Sequence, residues 1–442
     1  MNTFHKVIAL SAIALCSFAM RAHAENSLTL QDAINATLQH NPQLVGYEFR
    51  TQALAGEQQT AALKPQMKIS THLENIAGSG DFKGVDASEL TLSLSSVIEL
   101  GGQRDARLGL VTARQRQLAS TQRVLTLDLL TQVTQQFIAL AAVQEHVKLL
   151  QQSQQLAQEN VSSLAKHVQG GRTPEAELLR AKASLARLAI DVKKTQQKLT
   201  SERIKLSAFW ASSEATNSQI TSSQAVLGQP TFTQVAADLF SLPPLVPLPT
   251  LISKLDMNPD LVVLGDEVYL RAAELRHAQA ERKANIEWSA GVRRLQVSDN
   301  SAFVLGVTMP LGSATRAAGA MATANANQAG AELEQNATRI KLYAQLMSVH
   351  GDYEQALAEV NSLRNDVLPL LKQALRATAY GFQQGRYSYL ELNLAQRELL
   401  NEQLALIDSA AHAHALGADL ERLTGAALNE PLQLPRAQGA RE

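Results

Sequence analysis

The sequence is almost without cysteine: of its 442 residues only Cys16 is one, and it lies within a leader-like segment. The remainder can therefore build neither a disulfide framework nor a cysteine metal site. Aromatic residues make up 4 %, and with abundant glutamine and alanine this favours long helices over a thick globular core. Neither charge sign is in excess, with 40 bases against 41 acids, so nothing points to nucleic acid. After the leader no run approaches twenty consecutive apolar residues, so no transmembrane helix is predicted. A chain of this kind that spans a membrane must do so as a closed barrel. Catalytic patterns are missing too: there is no phosphate loop, nucleophile elbow or paired metal motif. His412 and His414 stand two apart on a predicted helix and do not share a face, and His40, His72, His146, His167, His277 and His350 are scattered. No catalytic residue, cofactor or metal site is expected, and an enzyme reading has no constellation to rest on.

The first 24 residues read as an export signal, with Lys6, an apolar stretch from Val7 to Leu15 and a small-residue cleavage pattern at Ala22-His23-Ala24. The stretch is too short to serve as a membrane anchor. Leu15 occupies the place before Cys16 where a lipobox needs a small residue, which argues against lipid attachment. Removing the leader takes away Lys6 and Arg21 and leaves a formal charge of about −3.

What is present is a chain written twice. Asn41-Pro42-Gln43-Leu44 returns as Asn258-Pro259-Asp260-Leu261, Leu100-Gly101 as Leu311-Gly312, and Gly171-Arg172 with Glu177-Leu178 as Gly385-Arg386 with Glu391-Leu392, at offsets of 217, 211 and 214. Three landmarks in the same order divide the chain into a signal (1–24), a first repeat (25–210), a connector (211–250), a second repeat (251–425) and a tail (426–442). The connector passes through Leu242-Pro243-Pro244-Leu245-Val246-Pro247-Leu248-Pro249, a proline density that argues against regular helix. Its leucines mark it as ordered and apolar-anchored.

From Leu110 to Gln169 there is neither Gly nor Pro, which predicts one helix of roughly 90 Å at about 1.5 Å per residue. Leu125, Leu129, Val133, Phe137, Leu140, Val143, Val147 and Leu150 step by three or four, as a coiled-coil seam requires. By itself this segment suits a soluble coiled-coil rod equally well. Gly170-Gly171 and Thr173-Pro174-Glu175 punctuate it and start a return helix to about Trp210, giving a helical hairpin with its tip at 170–174. The second repeat predicts the same from about Thr315 to Phe382, a tip at 384–387, and a return ending near Gly425. Pro369 interrupts the ascending limb and predicts a kink or local break.

Each repeat also predicts a β-hairpin, at about 66–98 and 285–310. Met67, Ile69, Thr71 and Leu73 alternate with Lys68, Ser70, His72 and Glu74, while Leu90, Leu92, Leu94 and Ile98 alternate with Thr91, Ser93, Ser95 and Val97. Ile286, Trp288, Ala290 and Val292 alternate with Glu287, Ser289, Gly291 and Arg293, and Phe303, Leu305, Val307 and Met309 with Val304, Gly306 and Thr308. Each segment is long enough to cross a bilayer as a tilted strand. Taken singly, such hairpins suit a soluble core as well. Four strands cannot close a spacious barrel, however, and no separate body is available to cover their apolar faces. Three copies would supply twelve strands. A soluble periplasmic adaptor, the rival class, predicts one helical hairpin with compact β-domains.

These residues resemble the TolC family of outer-membrane efflux proteins over nearly the whole mature chain. The carriers are Leu28-Thr29-Leu30-Gln31-Asp32-Ala33 with Asn41-Pro42, Gly171 to Leu178, Val367-Leu368-Pro369, and Gly385 to Leu392. Val97-Ile98-Glu99-Leu100-Gly101-Gly102-Gln103-Arg104 points to the cobalt-zinc-cadmium efflux branch. The fold class implied is mainly α with a small β part: a periplasmic α-barrel of long helical hairpins and a 12-stranded trimeric β-barrel. The resemblance further implies a homotrimer in outer-membrane lipid, extending into the periplasm. It implies passive conduction for an inner-membrane pump joined through a periplasmic adaptor, with divalent heavy-metal cations as cargo and drugs or other small molecules as the competing cargo. It places Gly171, Arg172, Gly385 and Arg386 at adaptor-docking tips, Glu391 near the periplasmic aperture, and Glu177 at its repeat counterpart. The tyrosine and arginine gate of some relatives has no match.

Overall fold

The computed structural model describes residues 27–211, 230 and 232–425; the leader, the tail 426–442 and most of the first half of the connector lie outside the described residues. In chain order the elements are β1 (Ser27–Leu28), α1 (Leu30–His40), α2 (Pro42–Ala62), β2 (Lys68–Glu74), β3 (Glu89–Ile98), α3 (Gln103–Gln169), α4 (Glu175–Ser207), β4 (Gln234–Val235), α5 (Leu248–Lys254), α6 (Pro259–Ala280), β5 (Ile286–Leu295), β6 (Asn300–Thr308), α7 (Ser313–Ser362), α8 (Leu368–Gln383) and α9 (Tyr389–Thr424). The order repeats between halves, and the repeated landmarks have physical reasons. Asn41 and Asn258 each precede a helix-opening proline, and their side chains accept from amides of the first turn: Gln43 at 2.9 Å, and Asp260 at 2.7 Å. Proline at the first position gives up an amide that would be unpaired anyway. Gly101 and Gly312 both have φ +81°, the left-handed step that turns strand into helix without a Cβ clash.

The chain divides into two compact units, a helical one (up to Val45, Thr126–Asp256 and from Tyr343) and a strand-bearing one (Gly46–Leu125 and Met257–Leu342). In the helical unit, Leu129, Val133, Phe137, Leu140, Val143, Val147 and Leu150 of the expected seam are all buried. Val133, Phe137 and Leu140 of these join Ala33, Ile34, Leu206, Val360, Ile407 and Ala410 in one cluster. Phe232, Val235 and Leu239 of the connector are buried in the same cluster. Four side chains hold the connector's carbonyls: His414 on Leu239 (3.1 Å), Arg364 on Phe240 (3.3 Å), Tyr353 on Pro243 (2.7 Å) and His350 on Val246 (3.0 Å). β1 and β4, too short to read from periodicity, pair in parallel.

Several boundaries differ from those read in the sequence. α3 begins at Gln103 and runs 67 residues, because Gly101-Gly102, rather than a change of periodicity, sets its start. One stretch of α3 is long and apolar enough on composition to cross a membrane, contrary to the expectation from consecutive apolar residues. Leu130, Val133, Phe137, Ile138 and Leu140, though, are spent on the buried cluster. The prolines of the connector do not exclude helix throughout: α5 starts at Leu248 with Pro249 in its first turn, where proline is tolerated. The limb predicted from Thr315 to Phe382 is divided by a π-helical segment, Leu363–Val367, in which the Leu368 amide donates to the Leu363 carbonyl. Widening the turn just ahead of Pro369 relieves the clash its ring would make with a regular preceding turn.

In the strand-bearing unit the four long strands form one antiparallel sheet in the order β2-β3-β5-β6. The hairpins of the two repeats meet at its centre, where ten consecutive pairs from Glu89↔Leu295 to Ile98↔Ile286 join β3 to β5. A small cluster of Ala113, Leu270 and Ala273, with Leu110 against it, packs α3 on α6. Beside it Arg116 pairs with the buried Asp266 at 2.5 Å.

Candidate conduit surface and helix tips

The register sorts the sheet into two chemically distinct faces. Ile69, Leu94, Ala290 and Leu305 stand in one row across all four strands, and Thr71, Leu92, Val292 and Phe303 in the next. Paired residues of an antiparallel ladder share a face, so these rows form one apolar surface. It is uncovered: Ile69 is 77 % exposed, Leu305 81 % and Phe303 88 %. On the opposite face, Ser70, Ser93, Gly291 and Val304 make one row and Lys68, Ser95, Ser289 and Gly306 another. That face ends in a charged network where Arg293 reaches Glu89 (2.8 Å), Glu74 (3.1 Å) and the Thr91 hydroxyl (2.9 Å). Strands β2 and β6 are the sheet's outer strands, so each presents an edge without a ladder partner among the described residues. Unpaired edges are templates for another chain.

The helix tips of the helical unit are built alike. Arg172 N–H donates to the His167 carbonyl (2.9 Å) and Gly171 N–H to Val168 (3.0 Å), while Arg386 donates to Gly381 (2.9 Å) and Gly385 to Phe382 (3.0 Å). The six-to-one bond over a left-handed glycine is the Schellman ending, and Gly171 and Gly385 have φ +65° and +69°. Gly171, Arg172, Gly385 and Arg386 are all exposed. The two tips lie side by side. Phe382 rests 6.5 Å from the His167 ring, and Tyr389 is buried among Val161, Leu164 and Ala181. Across the same contact Asn393 donates to the Ser184 hydroxyl (3.2 Å) and Asn160 to the Gln396 side-chain oxygen (3.0 Å).

The two carboxylates read from the sequence differ in setting. Glu391 is exposed, and its Oε2 accepts from the Ser388 amide (2.7 Å) and hydroxyl (3.0 Å) in a capping box at the start of α9. Its counterpart Glu177 follows Pro174, which offers no side-chain cap to α4. The Ser-x-x-Glu spacing of Ser388 and Glu391 was a visible signal for this role. The Arg293 network and the buried Tyr389 had no such signal, because their partners are distant in sequence. Burial pushes the Tyr389 phenol up, with Asn393 and Ser184 opposing. Among the described residues no group of three or more His, Cys, Asp or Glu is placed to hold a metal. His414 instead holds the connector.

No protein-family model matches the chain. In sequence it is 24 % identical over 404 residues to the cobalt-zinc-cadmium resistance protein CzcC of Cupriavidus metallidurans, covering 91 % of each chain. In fold it is similar to CusC, a transmembrane channel (TM-score 0.72, 15 % identity, 91 % of this chain and 92 % of that one). It is likewise similar to the outer-membrane protein VceC of Vibrio cholerae (TM-score 0.70, 19 % identity, 90 % and 96 %). The chain is thus similar over nearly its whole length to a cobalt-zinc-cadmium resistance protein, and it shares the fold of the channel CusC and the outer-membrane protein VceC.

Proposed function

We propose that this protein is the outer-membrane channel subunit of a tripartite efflux system, three copies of which close into a duct that passively conducts divalent heavy-metal cations out of the cell. The observation that carries the reading is the two-faced sheet with two free edges. An exposed apolar face suits lipid, a polar face suits a wet lumen, and pairing β6 of one copy with β2 of the next removes both edges. Three copies give twelve strands, enough for an open lumen. The cargo assignment rests on the name of the sequence relative.

The paired tips at Gly171-Arg172 and Gly385-Arg386 are the docking points for a periplasmic adaptor linked to an inner-membrane pump. Repeated three times, they offer six similar sites. Glu177 and Glu391 become two rings of three carboxylates, which would gather cations and repel anions; Glu391 Oε1 stays outside the capping bonds. Energy comes from the pump, and this chain supplies the path.

Two measurements test this. Mature protein extracted in detergent should run as a trimer and form pores in lipid bilayers; a soluble monomer without detergent would sink the channel. Deleting the gene should lower tolerance to cobalt, zinc and cadmium. Unchanged metal tolerance with lost drug tolerance would transfer the cargo to small organic molecules.

A further inference from the structure

Where the apolar face of the sheet meets the helices, the strand-bearing unit has an open cleft of about 480 Å³. The chain entering β2 (Lys64, Pro65, Met67), the end of β3 (Ser96, Ile98) and the start of α3 (Arg104, Asp105) line it. Two chemistries meet there. Met67 and Ile98 are exposed and continue the apolar face, and Ser96 pairs in register with Trp288 on the same face. A tryptophan at the end of an apolar band marks the level of the lipid headgroups.

The polar part of the cleft is charged in both senses. Arg104 donates through its Nε to the Ala62 carbonyl (2.8 Å) and is exposed. Glu99 is taken up by Arg107. Lys64 and Asp105, both exposed, form no ion pair among the described residues. Two cations and one carboxylate, none of them in an ion pair among the described residues, therefore stand beside an apolar wall.

We infer that this cleft binds the zwitterionic phosphoethanolamine headgroup of a membrane lipid. Lys64 and Arg104 hold the phosphate, Asp105 accepts from the primary ammonium, and the acyl chains lie along Met67, Ile69 and Ile98. A quaternary ammonium has no N–H to donate to Asp105, and a glycerol headgroup carries no cation. The inference rests on the outer-membrane reading above.

The test is native mass spectrometry of the detergent-solubilised trimer titrated with phosphatidylethanolamine, phosphatidylcholine or phosphatidylglycerol. The protein should retain the ethanolamine lipid about tenfold better than the other two, the worth of one charge-assisted hydrogen bond. Asp105→Asn should abolish that advantage, and Lys64→Gln should weaken all three lipids. Equal retention by the unaltered protein, or a preference surviving Asp105→Asn, would overturn the site. The companion measurement is pore formation in liposomes. Protein that conducts without headgroup preference loses only this inference, whereas protein that never inserts loses the membrane reading with it.

Discussion

Gly291 shows how a single residue can be dictated by a partner two hundred positions away. A Cβ added to it would stand 2.5 Å from the Leu92 carbonyl oxygen and 2.7 Å from the Ser93 Cβ, and backbone oxygens in a ladder cannot yield. Gly291→Ala should therefore destabilise by about 1–3 kcal/mol, the usual penalty of overpacking, read as a lower melting temperature of the protein. At Gly381 the added Cβ would meet the ring of Tyr387, an exposed side chain that can swing away, so Gly381→Ala should cost less. A residue-scale pH effect arises at His414. Burial holds its imidazole below the ordinary 6.5, against weaker opposing pulls from the Leu239 carbonyl and Asp238. As the pH falls through 6.5 the unfolded chain takes up a proton that the folded chain refuses, so stability drops. His146, lowered by burial despite Asp408 nearby, acts in the same direction. Melting temperatures between pH 7.5 and 5.5 should fall more steeply in the unaltered protein than in His414→Gln. Equal slopes would show that His414 is not held neutral. None of these residue demands was legible beforehand, since each depends on a neighbour supplied by the fold.

Helices and their ends were the most legible part of the chain. The glycines at 171 and 385, the Asn-Pro starts and the seam of α3 are local patterns, set by backbone geometry and the helical period, and sequence spacing reports them directly. The inequality of the two return helices is also written locally, since only the second carries the Ser-x-x-Glu spacing. α9 starts with the Ser388 and Glu391 capping box, whereas α4 has Pro174 in the equivalent place and its Glu177 unused as a cap partner. Ser388→Ala should cost about 1 kcal/mol, and Pro174→Ser should gain a similar amount by creating the missing box. Thermal unfolding of the two variants checks both signs. Pro369 was readable as a break, but a regular kink and a π-helical turn satisfy it equally, and only the packed helix selected the latter.

For the molecule as a whole, the sheet makes one prediction that separates lipid from lumen. Leu305→Arg places a charge on the apolar face and should cost about 2–4 kcal/mol at mid-bilayer depth, reducing insertion into liposomes. His72→Arg, on the polar face of the same sheet, should insert normally. Equal insertion of both would mean that the apolar face does not meet lipid. The sequence by itself determined the duplication, the four amphipathic strands, the long helices and their glycine-ended tips, because each is written in local periodicity or in residues with special backbone geometry. Tertiary structure alone decided that the two hairpins join through β3 and β5, leaving β2 and β6 as free edges. It alone brought Arg293 to Glu74 and Glu89, and Lys64 to Arg104 and Asp105 in one cleft. Those arrangements depend on which strand lies beside which and in what register, and side chains far apart in the chain carry no local record of that pairing.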